Sequence, residues 1–291
     1  MIDQCREDPS GMIRWQSWPV QRRSASQLRV YCFAHAGGPG SVFLGWQKAI
    51  GSLAEIRALV APGRGAVRYE RPLRSITPLV DAIAGSVRRD LDRGEMTRYA
   101  LAGCSMGAAV ALALLERLRD ERLPGPEHLV VCAGRPPVAG RPSRHLSALG
   151  DDELRQRLLQ LDSGRSADPV FRRSLQQGLE LVRADLELLD TYSPRQGLKV
   201  PCPLSVFVGL QDSLATPRDM VGWRQYASGP FRLRYLNLGH FFFILEPNDA
   251  SQGFGRELRI LFESMSADRM KPGIDLDEPL PEGASAAGGA R

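Results

Sequence analysis

Three short segments carry residues whose types and order could do chemistry together. GCSMG (103–107) sets Ser105 between two glycines, after the apolar run YALAG (99–103) and before the apolar helix pattern MGAAVALALLERL (106–118). VGLQDSLATP (208–217) places Asp212 just past the run PLSVFVG (203–209). LGHFFFILEP (238–247) holds His240, the only histidine after position 145. A serine hydroxyl is a weak nucleophile and needs a base, usually a histidine oriented by a carboxylate. Serine, acid and histidine in this chain order fit attack on an acyl carbonyl through a covalent ester.

A strand that runs straight into a helix through G-x-S-x-G describes a nucleophile elbow. The turn must be tight, and Gly103 and Gly107 leave room there for neighbouring backbone. Ser105 is then expected to point into the cleft above the carboxyl ends of the strands. The helix N-terminus adds a positive dipole and free N–H groups near a developing oxyanion. His240 is expected as the base and Asp212 as its acid. Asp190 and Asp219, inside helix patterns, and Glu246, after the histidine, are weaker rivals for the acid. FAHAGGPG (33–40) follows the first core strand, where these folds put the other half of an oxyanion hole. The N–H of Ala36 and the N–H of Met106 are the expected donors, with His35 shaping the loop rather than titrating.

The elements that must position these residues are legible as a pattern. LRVYCFA (28–34), EIRALVA (55–61), YALAG (99–103), EHLVVCAG (127–134), PLSVFVG (203–209) and FRLRYLNLG (231–239) read as strands, with helix patterns between most of them. One such helix face is Leu79, Ile83, Val87 and Leu91. Short apolar strands alternating with helices predict a mostly parallel central sheet flanked by helices. The alternation breaks over 140–198. There Leu175, Leu179, Val182, Leu186 and Leu189 mark an amphipathic helix with no intervening strand, which reads as a helical lid insertion. The fold class predicted is α/β, of the α/β-hydrolase type. The core covers 27–139 and 199–267, with the lid at 140–198. Residues 1–26 read as an N-terminal arm. Residues 268–291, rich in Gly, Pro, Ala and acids, read as a disordered tail.

Composition narrows the class. The net charge is +5, but of the 38 basic residues only Lys48, Lys199 and Lys271 are lysine, and the arginines spread along the whole chain. That argues against a nucleic-acid footprint, which would cluster, and leaves either a solvated surface or a basic rim for an acidic partner. The five cysteines are scattered without CxxC spacing, so no metal site is expected. Their odd number and apolar settings read as buried free thiols in a reducing compartment. The start, MIDQCREDPSG, lacks the basic and apolar regions of a signal peptide, and no run is long enough to span a membrane. A cytoplasmic protein is expected.

With these residues assembled, the chain resembles the type II thioesterases of polyketide and nonribosomal peptide synthesis. The matching pieces are CFAHAGG (32–38), APGRG (61–65), GCSMGA (103–108), RADLELLDTY (183–192), PCPLSVFVGLQD (201–212) and GPFRLRYLNLGHFFF (229–243). The resemblance implies Ser105 as nucleophile, His240 as base and Asp212 as orienting acid. It implies no cofactor of the enzyme's own, because the substrate carries a 4'-phosphopantetheine arm. The implied partners are acyl or peptidyl carrier protein domains of a synthase, with no nucleic acid and no membrane. The implied role is removal of stalled or wrong acyl groups. Two departures stand out. Cys104 occupies the position before the nucleophile where the family usually has histidine, and Ala66 follows PGRG where a polar or acidic residue is common. Transfer of the acyl group to another acceptor, a generic carboxylesterase, or a non-catalytic binding module on the same fold remain alternatives at this stage.

Overall fold

The computed structural model describes residues 4–7, 11–18, 28–138, 146–161, 169–245 and 253–266. Its strands are β1 (Gln4–Glu7), β2 (Arg14–Ser17), β3 (Leu28–Phe33), β4 (Ala54–Val60), β5 (Tyr99–Cys104), β6 (Leu129–Cys132), β7 (Leu204–Gly209) and β8 (Phe231–Leu236). They form one sheet in the order β1-β2-β4-β3-β5-β6-β7-β8. From β4 through β8 all pairings are parallel, and β1 and β2 add antiparallel to the β4 edge. The carboxyl ends of the six parallel strands therefore share one edge of the sheet.

The central strands are mostly apolar because both faces are covered; the exception in β3, Arg29, is buried and paired with Glu55 (3.1 Å) and Asp90 (2.9 Å). In β3 and β5 successive side chains alternate between two cores, as the pleat requires. Tyr31, Phe33, Tyr99 and Leu101 face a core built with α2 (Ile76–Asp92) and α3 (Met106–Asp120). Val30, Cys32, Ala100, Ala102 and Cys104 face the opposite core, built with α1 (Leu44–Ile50) and α7 (Gly253–Ser266). The predicted face Leu79, Ile83 and Val87 is buried on α2, while Leu91 packs partly buried at its edge. The short α6 (Pro217–Met220) opens with a capping box at Thr216.

The N-terminal segment departs from the sequence reading. Arg14–Ser17 is not part of an arm but a strand in register with β4, Arg14 opposite Val60. Ile13 and Trp15 are buried, and the Trp15 ring meets Tyr31 edge-on at 5.0 Å. The segment is too short and too polar to show an apolar run. Only its pairing partner makes it a strand.

Between β6 and β7 the described residues are helical: a 3-10 turn (Leu146–Ala148), α4 (Asp151–Leu161) and α5 (Pro169–Asp190). Leu179, Val182 and Leu186 of α5 pack on Leu154 of α4 in a small core of their own. Residues 140–145 and 162–168 of the expected lid, and the expected tail at 268–291, lie outside the described residues. Among the described residues no helix is long and apolar enough to cross a membrane.

Candidate active site

Strand β5 ends at Cys104 and α3 begins at Met106, so Ser105 alone makes the turn. Its backbone sits at φ 52°, ψ −115°, a region a residue with a side chain occupies only at a cost of about 1–3 kcal/mol. Neighbouring backbone holds it there. The Ser105 N–H donates to the Cys132 carbonyl (2.8 Å), and the Ser105 carbonyl accepts from the Ala108 N–H (3.1 Å). The space is filled by main chain. A Cβ on Gly103 would lie 2.2 Å from the Gly107 carbonyl oxygen, and one on Gly107 would lie 2.0 Å from that of Phe33. This is why glycine stands on both sides of the serine.

The Ser105 side chain caps no helix N–H. Its Oγ instead lies 3.2 Å from His240 Nε2. His240 follows β8 and is only 2% exposed. The aromatic run after it anchors the loop. Phe241 meets the His240 ring edge-on at 5.0 Å, Phe242 and Phe243 are buried against the α1/α7 face, and Trp46 Nε1 donates to the Phe243 carbonyl (2.8 Å).

On its other side, His240 Nδ1 lies 2.8 Å from Asp212 Oδ2. Asp212 is buried in the turn after β7, and its Oδ1 accepts from the N–H groups of Leu214 (2.8 Å) and Ala215 (2.9 Å). Both oxygens of this carboxylate are thus occupied by donors, which fixes the side chain. The rival acids are employed elsewhere. Asp190 accepts from Ser147 Oγ (2.5 Å), and Asp219 caps at Thr216 and pairs with Arg135 (3.2 Å). Glu246 lies outside the described residues.

His35 is kept neutral. Burial first, then the charges of His240 and Arg64, pull it from 6.5 down to about 3. Its ring packs against Phe241 (5.3 Å) and Phe243 (5.6 Å). Cys104 is fully buried among the α1/α7 core residues, on the face away from α3. Burial, and secondarily its neighbour Cys132, push its thiol well above 9.0, so it stays protonated. Cys32, Cys104, Cys132 and Cys202 are all buried and unpaired.

Ser105 opens into a cavity of about 410 Å³, within the range of small-molecule pockets. Ala36 and Met106, the two expected oxyanion donors, line it beside the serine. Helix α5 supplies an apolar wall through Leu186 and Leu189, with Tyr192 beyond it, while Arg135, Arg157 and Asp190 bring charge to the lining. Met106 is the first residue of α3, so its N–H has no partner within the helix. Among the described residues no three His, Cys, Asp or Glu side chains stand close enough to hold a metal ion.

Sequence reasoning missed one network beside this site. Asp185 of α5, 2% exposed, accepts from Arg64 Nη2 (2.6 Å) and from the Gly37 N–H (2.7 Å). The available signal was that Arg64 and Asp185 fall inside APGRG and RADLELLDTY, segments that matched the family without a stated role.

The family model of the thioesterase domain matches residues 28–252. The chain belongs to the thioesterase family. Thioesterase PikA5 of Streptomyces venezuelae is 30% identical over 217 residues, covering 75% of this chain and 76% of that protein. The "Probable cadicidin biosynthesis thioesterase" of Streptomyces griseus is 30% identical over 218 residues, covering 75% of this chain but 59% of that relative's length. Among solved structures, the RedJ thioesterase from the prodiginine biosynthetic pathway in Streptomyces coelicolor is 33% identical with a TM-score of 0.71, covering 84% of this chain and 91% of that one. BorB, a type II thioesterase from the borrelidin biosynthetic cluster, is 28% identical with a TM-score of 0.67, covering 87% and 95%. The match to this thioesterase family includes the elbow, the Asp212 turn and the His240 loop, all within 28–252.

Proposed function

We propose that this thioesterase hydrolyses acyl groups from the phosphopantetheine arm of acyl or peptidyl carrier proteins, acting in trans on a synthase. The observation that carries the reading is the continuous chain from Ser105 Oγ to His240 Nε2 (3.2 Å) and from His240 Nδ1 to Asp212 Oδ2 (2.8 Å) at the head of an apolar cavity.

In this reading Ser105 Oγ attacks the thioester carbonyl carbon while its proton passes to His240 Nε2. Asp212 holds the imidazole with Nδ1 protonated, so Nε2 is the nitrogen that accepts. Negative charge gathers on the former carbonyl oxygen, where the N–H groups of Ala36 and Met106 stabilise it. The tetrahedral adduct collapses, the C–S bond breaks, and the leaving thiolate takes the proton from His240. Water then attacks the acyl-serine carbonyl and gives its proton to Nε2. A second collapse breaks the Ser105 ester bond and returns the proton to Oγ, releasing the carboxylic acid. The apolar wall of α5 holds the acyl chain meanwhile. Four buried, unpaired cysteines suit a reducing compartment and support a cytoplasmic site of action.

The test is a panel of acyl-phosphopantetheine carrier proteins read by intact-protein mass. Loss of the acyl mass with wild-type enzyme, and none with Ser105→Ala of native fold, is expected. A fluorophosphonate probe should label the wild type and leave Ser105→Ala unlabelled. Turnover by purified Ser105→Ala at the wild-type rate would refute the assignment. A product in which the acyl group moves to an amine, alcohol or second thiol would refute hydrolysis.

A further inference from the structure

The loop that carries the Ala36 N–H is tied to α5, the helix that walls the acyl cavity. The Gly38 N–H donates to the His35 carbonyl (2.9 Å), closing a four-residue turn over 35–38. Gly37, third in that turn, has φ +73°, the type II conformation that calls for glycine at this place. The His35 carbonyl and the Ala36 N–H belong to one trans peptide and point opposite ways. Once that carbonyl is held by Gly38, the Ala36 N–H faces outward from the turn, and Ala36 lines the cavity with Ser105.

The central amide of the turn, the Gly37 N–H, donates to Asp185 Oδ2 (2.7 Å). Asp185 is itself fixed by Arg64, whose Nη2 reaches Oδ1 (2.6 Å) and whose Nη1 reaches the Gly38 carbonyl (3.3 Å). Contact with α5 is close. A Cβ on Gly37 would lie 2.5 Å from Val182 Cγ2.

We infer that Asp185, held by Arg64, is a positioning residue for the oxyanion hole. By accepting the Gly37 N–H it ties the 35–38 turn to α5, and so fixes where that turn, with the Ala36 N–H it carries, sits at the edge of the cavity. Because Asp185 sits one residue from Leu186, a cavity-wall residue of the same helix, the donor and the acyl pocket move as one body. This coupling rests on the proposed role of Ser105 and Ala36.

Removing Asp185 alone would strand a buried guanidinium, so the test compares two uncharged double variants. Arg64→Met/Asp185→Asn retains an acceptor for the Gly37 N–H, and Arg64→Met/Asp185→Leu does not. With octanoyl-N-acetylcysteamine as substrate, the leucine variant should show a kcat about 10- to 100-fold below the asparagine variant, with KM within about twofold, because a mis-set donor weakens only the transition state. Equal kcat in the two folded variants would overturn the inference. If either fails to fold, Gly37→Ala supplies the same measurement without touching charge. It should lower kcat and not KM, and Val182→Ala in the same chain should restore part of the loss. Wild-type kcat in Gly37→Ala would equally overturn it. Ser105→Ala runs alongside. If it stays active, the reading of the site itself fails. If it is inactive while the paired variants are equal, only the coupling fails.

Discussion

Replacing Asp212 by asparagine tests the proposed triad at its orienting acid. Asp212 is buried, its side chain fully so, with Oδ1 taken by two backbone N–H groups (2.8 and 2.9 Å) and Oδ2 facing His240 Nδ1 (2.8 Å). An asparagine of the same shape has one oxygen and one NH2. Its NH2 cannot face the Leu214 and Ala215 amides, since donors would then meet donors, so its oxygen must stay with them and its NH2 must face Nδ1. His240 then accepts at Nδ1 and carries its proton on Nε2, the nitrogen 3.2 Å from Ser105 Oγ. In that tautomer it cannot take the serine proton. The same exchange in the serine-protease template lowers kcat by about 10⁴, or about 5.5 kcal/mol at 1.36 kcal/mol per tenfold. All three hydrogen bonds persist, so the melting temperature should shift by no more than a few degrees. The assay is kcat/KM on an acyl-N-acetylcysteamine with a thermal melt of the same sample. Ser105→Ala should lose at least as much. Activity within tenfold of wild type in a folded Asp212→Asn, or a comparable loss in Asp190→Asn, would refute the reasoning.

Cys104→Ala should remain active within about tenfold and cost about 1–2 kcal/mol of stability, measured by urea unfolding, because the thiol is buried packing on the face away from the cavity; inactivation would contradict its exclusion from catalysis. His128, 3% exposed and bonded through Nε2 to Ser205 Oγ (2.9 Å), is lowered by burial, and secondarily by Arg232, to about 3. A histidine pKa depressed in the folded state means that the unfolded chain takes up the proton first. Its stabilising contribution is therefore whole above about 6.5 and lost as pH falls towards 3, about 2 kcal/mol of it between pH 7 and 5. His128→Gln should flatten that part of the pH dependence in urea titrations, and an unchanged slope would contradict it. With a sequence pI of about 9.1 and Arg135 and Arg157 lining the cavity, kcat/KM on an acidic acyl-carrier protein should fall as salt rises from 0.1 M to 1 M. An uncharged acyl-N-acetylcysteamine should show little change, and equal sensitivity of the two substrates would remove the case for steering.

Much of this protein was determined locally and could be read from the chain. Most of the six parallel strands read as apolar runs because both faces of the sheet are covered there, and a two-sided burial pattern needs no knowledge of partners; β8, at the sheet edge, alternates instead. The elbow is legible for a related reason. A side-chain-bearing residue at φ 52° between two positions that admit no Cβ leaves glycine-x-serine-x-glycine as the pattern at that turn. Asp212 and His240 could be named because each directly follows a strand whose carboxyl end the topology brings to the same edge. Other features depended on partners distant in the chain. Arg14–Ser17 is a strand only because β4 offers its edge, and nothing in RWQS states that register. The helix patterns around Asp190 and Asp219 made them weaker rivals, but their actual partners, Ser147 and Arg135 against His240 for Asp212, are tertiary facts. The Arg64–Asp185–Gly37 network joins positions 37, 64 and 185 through two hydrogen bonds whose geometry exists only after α5 has packed on the 35–38 turn. Local pattern reports which residues must be buried or must turn. Contacts between distant segments are set by how whole elements stack, and that is decided by the tertiary structure alone.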